Sequence, residues 1–556
     1  MKKTLLYISI LALGLGLAAC QYLSPGQNGQ KSTPAGQQNG RDQVARPTTG
    51  RPKLAQEARL RAMAPAKTAG YHMIGHMPPP MAAQDRERYG QIDPNPVKAV
   101  AEHPVSTFSV DVDTGAYANV RRFLSQGRLP VKDAVRIEEM INYFSYNYPT
   151  PPDRKVPFAV STEMASCPWN PNTLLLRIGI KGYEIKRSER PAANLVFLLD
   201  VSGSMNSRHK LPLLKSAFGL LLKQLTARDR VSIVVYAGAA GLILEPTPGD
   251  QRGKIMAALQ KLSAGGSTAG GAGIKLAYAV ARQGFIKGGI NRILLATDGD
   301  FNVGMVSFRA LKDMIERQRK DGIELTTLGF GVGNYNERLM EQLADAGNGN
   351  YAYIDTLSEA NKVLVTELNS TLFTIAKDVK VQIEFNPAVV AEYRLIGYEN
   401  RMLKREDFAN DKVDAGDIGA GHTVTALYEI SLVGSKGLKL PPLRYGSQAK
   451  PDPAKAGELA FLKLRYKLPG QDKSKLIKIP LTKQMITASL DQSSEDFRFA
   501  AAVAAFGQLL RGGKYTGRFT YDQVLELARS GRGKDKFGYR GEFLRLVSLA
   551  RGLSVK

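Results

Sequence analysis

The chain has 556 residues, too many for one hydrophobic core, and its length points to about three domains. With 43% hydrophobic and 23% charged residues it has the composition of a globular protein rather than a disordered one. Its 76 Lys and Arg against 51 Asp and Glu give a net charge of +25, so acidic surfaces attract it at low salt.

Lys2 and Lys3 are followed by an apolar stretch that ends in Leu17-Ala18-Ala19-Cys20. A basic start, about 15 apolar residues and small residues before a cleavage point make a secretory signal over 1–20, too short to span a bilayer. The Leu-Ala-Ala-Cys ending resembles the bacterial lipobox. That resemblance implies a diacylated Cys20 as the new N-terminus. With Gln21 rather than Asp next, it also implies a cell-envelope protein on the outer membrane, facing the periplasm or the cell surface. Cys167 is then left without an intramolecular partner, and no disulfide is expected. Residues 21–90 are rich in Gln, Gly, Pro, Ala and Arg without apolar periodicity, which predicts a disordered tether. Two His and three Met between Tyr71 and Met81 are soft copper ligands, but the surrounding Pro and Gly deny them a fixed geometry.

Order begins near Asn95. Residues 104–117 contain Asp111-Val112-Asp113-Thr114, which resembles the nucleophile motif of haloacid-dehalogenase-type phosphatases. In such an enzyme Asp111 would attack phosphorus and Asp113 would act as acid and base. Thr107 and Ser109 interrupt the preceding apolar run, and a helical pattern over 116–124 follows at once, with no second acidic pair at suitable distance. Residues 135–144 carry apolar positions three and four apart, as an amphipathic helix does. Val156–Thr162 and Leu174–Ile180 alternate with period two, as half-buried strands do.

Asn194-Leu-Val-Phe-Leu-Leu-Asp200-Val-Ser202-Gly203-Ser204-Met205 is an apolar run ending in a carboxylate and two hydroxyls. Such a run predicts a strand buried on both faces, with Asp200 at its carboxyl end, where ligands bind in open α/β sheets. Hard oxygens of this kind suit Mg²⁺ or Mn²⁺. From here the patterns alternate, with strands at 194–199, 230–236, 241–245, 291–297, 323–330 and 350–354. Helices are expected at 208–226, 252–262, 270–283, 307–320, 336–346 and 358–375. That alternation calls for a doubly wound, mainly parallel sheet with helices on both faces. Thr268 lies in a glycine-rich loop ahead of a helix, and Asp298 ends a second buried run, so both belong on the edge that carries Asp200.

These three stretches resemble the metal-ion-dependent adhesion site of von Willebrand factor type A (VWA) domains. There, Asp-x-Ser-x-Ser comes from a first loop, Thr from a second and Asp from a third. The resemblance implies metal ligands Asp200, Ser202, Ser204, Thr268 and Asp298, an Mg²⁺ or Mn²⁺ cofactor, and a protein partner that offers a Glu or Asp carboxylate. Asp300 and Asn302 lie close by and could orient waters.

Beyond residue 375 period two returns, in Val379–Phe385, Thr423–Ile430, Leu459–Lys467 and Lys475–Pro480. Joined to the strands before residue 192, these predict one antiparallel β-sandwich with the α/β domain inserted. Residues 494–556 return to helix, starting at Ser494-Glu495-Asp496 as a capped end does. From Arg498 onward there are twelve Lys/Arg against four Asp/Glu, which suits anionic lipid or glycan; export argues against nucleic acid. From about residue 94 to the end the chain is similar to a family of bacterial VWA lipoproteins. The expected parts are 1–20 signal, 21–90 tether, 91–192 N-terminal module, 193–370 VWA domain, 371–490 sandwich and 491–556 helical segment.

No phosphate-loop, nucleophile-elbow, zinc-protease or Cys-x-x-Cys motif is present, and the five histidines are scattered. His209 is expected to be exposed at a helix start, and His422 to sit in a turn. The expectation is a lipid-anchored adhesion protein rather than an enzyme. A cell-envelope metal-dependent phosphatase or hydrolase built on Asp111 and Asp113 is the alternative.

Overall fold

The computed structural model describes residues 87–268, 270–299, 307–333, 335–444 and 455–554. Cys20, the tether up to residue 86, Asp300 and Asn302 lie outside the described residues. Strands β1 (Lys98–Ala99) and β2 (Val105–Ser109) precede helices α1 (Gly115–Ser125) and α2 (Ile137–Asn142). A hairpin, β3 (Phe158–Cys167) and β4 (Asn170–Gly182), leads into the α/β domain. That domain runs β5 (Ala193–Asp200), α3 (Leu211–Leu222), β6 (Arg230–Tyr236), β7 (Ala240–Pro248), α4 (Arg252–Gln260) and α5 (Gly270–Gln283). It continues β8 (Ile290–Thr297), α6 (Phe308–Lys320), β9 (Glu324–Phe330), α7 (Glu337–Ala346) and β10 (Tyr351–Ile354). Its exit is α8 (Leu357–Asn361), a π-helical turn Lys362–Thr366 and α9 (Leu368–Leu372). After it come β11 (Thr374–Phe385), β12 (Val390–Ile396), β13 (Ile418–Gly419), β14 (Thr423–Leu432), β15 (Glu458–Lys467) and β16 (Lys475–Thr482). Helices α10 (Glu495–Leu510), α11 (Tyr521–Ser530) and α12 (Tyr539–Ser554) close the described chain.

The central sheet has the order β10-β9-β8-β5-β6-β7, parallel except for β7. All eight residues of β5 are buried, as its unbroken apolar run predicts for a strand covered on both faces. Period two still divides them. Leu195, Phe197 and Leu199 join the core under α3, α4 and α8, while Val196 and Leu198 join the core under α5, α6 and α7.

The strand before this domain pairs with one far beyond it: β4 lies antiparallel to β14, with Leu176 opposite Tyr428. The α/β domain is thus inserted in a sandwich, as the sequence predicts. One sheet has the order β1-β12-β14-β4-β3, and the other β13-β11-β15-β16 with β2 also on β11. Their facing residues, among them Phe108, Ile178, Val381, Leu462 and Tyr428, form one core.

Two features depart from the expected pattern. The helix expected over 358–375 breaks at the π turn and stops at Leu372, because Thr374 already begins β11. The C-terminal helices do not stand apart, since α10 is buried on nearly every side and needs more than one partner. It packs with α2, α11 and α12 on the outer face of the first sandwich sheet. The Phe144 ring there meets those of Phe499 and Phe543, with centroids 4.9 and 5.8 Å away.

The inserted domain is clamped to the rest by arginines. Arg121 of α1 pairs with Asp355 and Glu359, Arg136 with Glu337 and Glu341, and Arg401 with Asp345 and Glu341. Each of these guanidinium groups also holds a carboxylate of its own side: Glu542, Glu139, or Asp111 with Asp113. The seam remains rich in carboxylates. Burial, with Glu399 and Asp111 near it, pushes Glu138 up to about 8. Burial likewise raises Glu341 to about 7, although Arg136 and Arg401 oppose the shift.

Glu138 binds its proton more tightly folded than at its ordinary value of 4.5, so its contribution is whole below that value and is lost as pH rises through about 8. Differential scanning calorimetry should show the melting temperature falling between pH 6 and pH 8.5. The slope is about 1.4 kcal/mol per pH unit for each proton lost. Glu138→Gln should flatten that slope and raise the melting temperature at pH 8.5.

Candidate metal centre

Strands β5 and β8 are neighbours and both run toward the same edge. From β5 the chain leaves through α3 on one face toward β6, and from β8 through α6 on the other face toward β9. Neighbouring strands followed by helices on opposite faces mark the general position for a ligand in such sheets. Asp200 ends β5 and Asp298 follows β8, and neither side chain is exposed to solvent at all.

Asp200 is held from three directions. Its Oδ1 accepts the Ser202 N–H at 2.9 Å, and its Oδ2 accepts the Thr297 hydroxyl at 2.8 Å and the Tyr236 hydroxyl at 3.3 Å. The Ser202 and Ser204 hydroxyl oxygens stand 3.0 Å apart; Ser202 is buried and Ser204 exposed. Gly203 N–H donates to the Gly266 carbonyl at 3.0 Å, and Gly265 N–H to the Val201 carbonyl at 2.8 Å. The second loop is thereby docked on the first, and Thr268, half-buried, follows Gly266 just before α5. On the third loop Gly299 has φ +84°, and a Cβ there would lie 2.5 Å from the Asn336 nitrogen. Only glycine suits that position.

Burial, reinforced by the charge of Asp298, holds the Asp200 carboxyl above its ordinary value even though Ser202 and Thr297 donate to it. Lys210, just ahead of α3, extends its Nζ to 2.8 Å from Asp298 Oδ2. Two buried carboxylates, two hydroxyls in contact and a third on the docked loop make a hard-oxygen set that fits Mg²⁺ or Mn²⁺. Among the described residues no three His, Cys, Asp or Glu side chains converge as a metal cluster, so hydroxyls must complete any such shell.

Three family models match successive parts of the chain. The family model described as von Willebrand factor type A domain matches residues 194–367. A von Willebrand factor model matches 83–177, and one described as "Uncharacterized protein YfbK, C-terminal" matches 370–553. YfbK of Escherichia coli (strain K12) is 51% identical over 476 residues, covering 84% of this chain and 81% of that one. The chain belongs to the YfbK family of VWA proteins. It is also similar to the magnesium-chelatase 60 kDa subunit of Cereibacter sphaeroides, at 34% identity over 156 residues, 26% of this chain and 27% of that one. Among solved structures, a von Willebrand factor type A protein from Catenulispora acidiphila is 17% identical with TM-score 0.37, covering 70% of this chain and 89% of that chain. VWA domains generally mediate protein interactions.

In this VWA domain the structure brings Asp200, Ser202, Ser204 and Asp298 to one edge and sets Thr268 in the adjoining loop. Sequence reading missed Thr297 and Tyr236, which orient Asp200, and Lys210, which reaches Asp298. Thr297 stands directly before Asp298 at the end of an apolar strand, a hydroxyl the pattern did offer. His209 is exposed against Arg208, and His422 lies in the turn between β13 and β14, where burial lowers it to about 3.

Asp111 and Asp113 serve the seam. Asp111 Oδ1 accepts the Asp113 N–H at 2.9 Å, and Asp113 Oδ1 accepts the Tyr351 N–H at 2.8 Å. Arg401 takes the other oxygen of each at 3.1 Å. A cavity of about 260 Å³ adjoins them, lined also by Asp345, Asp414 and Asp417. Asp113 Oδ1 reaches the VWA domain directly, and one oxygen of each acid holds Arg401 toward Asp345 and Glu341 of that domain. Asp111 Oδ1 is taken up locally, so all four oxygens are engaged, and the acid-rich lining disfavours a phosphoester. Asp111→Asn should lower the melting temperature by several degrees, the protein showing no turnover of p-nitrophenyl phosphate before or after the change. Turnover in the parent that disappears in the variant would instead establish a hydrolase.

Proposed function

We propose that this protein is a lipid-anchored adhesion module of the cell envelope that engages a protein partner through a divalent cation. The ion, Mg²⁺ or Mn²⁺, would be held by Asp200, Ser202, Ser204, Thr268 and Asp298. Bound there, it supplies an electrophilic position for a Glu or Asp carboxylate of the partner. The chain's own contribution is orientation: Thr297, Tyr236 and the Ser202 N–H fix Asp200, so the site is shaped before any ligand arrives. What carries the reading is the pairing of two fully buried carboxylates with an exposed hydroxyl, at Ser204, on the same edge. The buried oxygens favour a cation, and the exposed one leaves that cation reachable.

Anchoring at Cys20, on an outer membrane facing the periplasm or the cell surface, belongs to the same proposal. No helix among the described residues is long and apolar enough to cross a membrane. The net charge of +25 favours anionic lipid or glycan as a secondary contact.

Calorimetry on the purified protein should show one Mg²⁺ or Mn²⁺ taken up, with uptake lost in Asp200→Ala. Thr297→Val, which removes only an orienting hydroxyl, should weaken uptake about tenfold. A partner retained on the immobilised protein should be released by chelator. A fall in melting temperature on chelation with the partner still bound would make the ion structural and overturn the adhesion reading. Cys20→Ser should move the protein from the membrane fraction to the soluble fraction on cell fractionation.

A further inference from the structure

Lys210 is seated rather than merely near. Its backbone N–H donates to the Ser207 carbonyl at 3.0 Å, and its carbonyl accepts the Leu214 N–H at 2.8 Å, so the first turn of α3 fixes where the side chain starts. The stem then passes over Gly331, which follows β9 with φ +84°. A Cβ at Gly331 would lie 2.5 Å from Lys210 Cγ and 2.8 Å from Cδ, and would overlap Cε as well. The slot therefore exists only because residue 331 is glycine. Gly331 is itself held by the Tyr353 hydroxyl, which donates to its carbonyl. At the end of the slot the ammonium meets Asp298 Oδ2 at 2.8 Å, with the lysine side chain only 7% exposed.

A long cationic side chain loses much rotamer freedom when it is confined in this way, and ordinary surface lysines are not so confined. The placement has a consequence for the ion. A divalent cation on Asp298 would lie on the order of 4–5 Å from the ammonium if both kept the same carboxylate. Like charges that close, at a buried carboxylate, repel strongly. Withdrawal of the ammonium from Asp298 would relieve the repulsion.

We infer that Lys210 is a built-in cation that occupies the metal-binding carboxylate Asp298 and competes with the divalent ion for it. The inference rests on the proposed metal site and adds its regulation. Without divalent ion, Lys210 neutralises Asp298 and keeps the strand edge folded. Uptake requires the ion to displace the ammonium, which lowers its apparent affinity and ties partner binding to the concentration of free divalent cation.

The test is calorimetric titration of Mg²⁺ and of Mn²⁺ into the full chain and into Lys210→Met, which keeps an unbranched stem and removes the charge. The variant should bind both ions at least tenfold more tightly. Chelator should lower its melting temperature more than that of the parent. Wild-type binding with equal or weaker binding by Lys210→Met overturns the competition and leaves the metal site standing; absence of binding in both overturns the two together. Should the variant not fold, the parent alone decides through lysine acetylation read by mass spectrometry. Lys210 should be labelled slowly in chelator and several-fold faster in saturating Mn²⁺, and an unchanged rate overturns the proposal.

Discussion

Burying a carboxylate costs several kcal/mol unless charge or hydrogen bonds answer it, and the seam and the sheet edge, two of the places where this chain buries carboxylates, answer it differently. At the seam the answer is arginine: Arg121, Arg136 and Arg401 each bridge acids of the inserted VWA domain and acids of the surrounding body. Guanidinium suits that task because its planar fork reaches several oxygens in fixed directions. At the sheet edge the answer is hydroxyls, a backbone N–H and one lysine. An ammonium is a compact charge on a flexible stem, and a flexible stem can withdraw where a guanidinium fork held on two sides cannot. The two systems of buried acid are thus distinguished by the type of cation that meets them.

The insertion explains why the seam must be so well paired. The VWA domain is joined to the sandwich at both its ends, through Gly182 to Ala193 and through Leu372 to Thr374. Two tethers fix position but not orientation, and the arginines supply the missing restraint from a third direction. Apolar contact at the same place is modest, with Ala118 of α1 against Tyr335, Met340, Ala344, Tyr351 and Tyr353. Ion pairs with defined geometry orient a surface better than a small apolar patch does, because misalignment leaves a buried charge unanswered.

The α/β elements were legible because their strands are runs of buried apolar residues with sharp ends. Asn194 to Leu199 and Ile293 to Ala296 can hardly be anything but strands covered on both faces. The insertion was legible from period two, which recurs on both sides of the domain, together with a sheet whose two connections can enter a sandwich on one edge. Side-chain partnership across the chain was not. Nothing local in Phe499 or Phe543 announces Phe144 as a partner, and nothing in Asp111-Val-Asp113 announces Arg401. The site shows the same division. The aspartates and hydroxyls stand at strand ends and in a glycine-rich loop, where pattern finds them. Lys210 in Arg208-His209-Lys210 reads as a solvated helix start, and only the glycine slot at residue 331 distinguishes it from its neighbours.

That slot belongs to a stretch which serves both systems of buried charge. Gly331 covers the Lys210 stem, and the Gly333 N–H donates to Glu87 at 2.9 Å, a residue already paired with Arg122. Asn336 closes over Gly299 beside Asp298, and Glu337 is held by Arg136 at 2.9 Å. Within seven positions the backbone passes from the edge that carries the candidate metal ligands to the seam that orients the domain. A stretch so constrained cannot shift to suit one end without disturbing the other, since a packed interior transmits displacement instead of absorbing it. The candidate metal edge therefore inherits its geometry from the seam as well as from its own sheet. The VWA domain cut out alone would lose Arg136 and Glu87, and with them part of what holds Gly331 over Lys210.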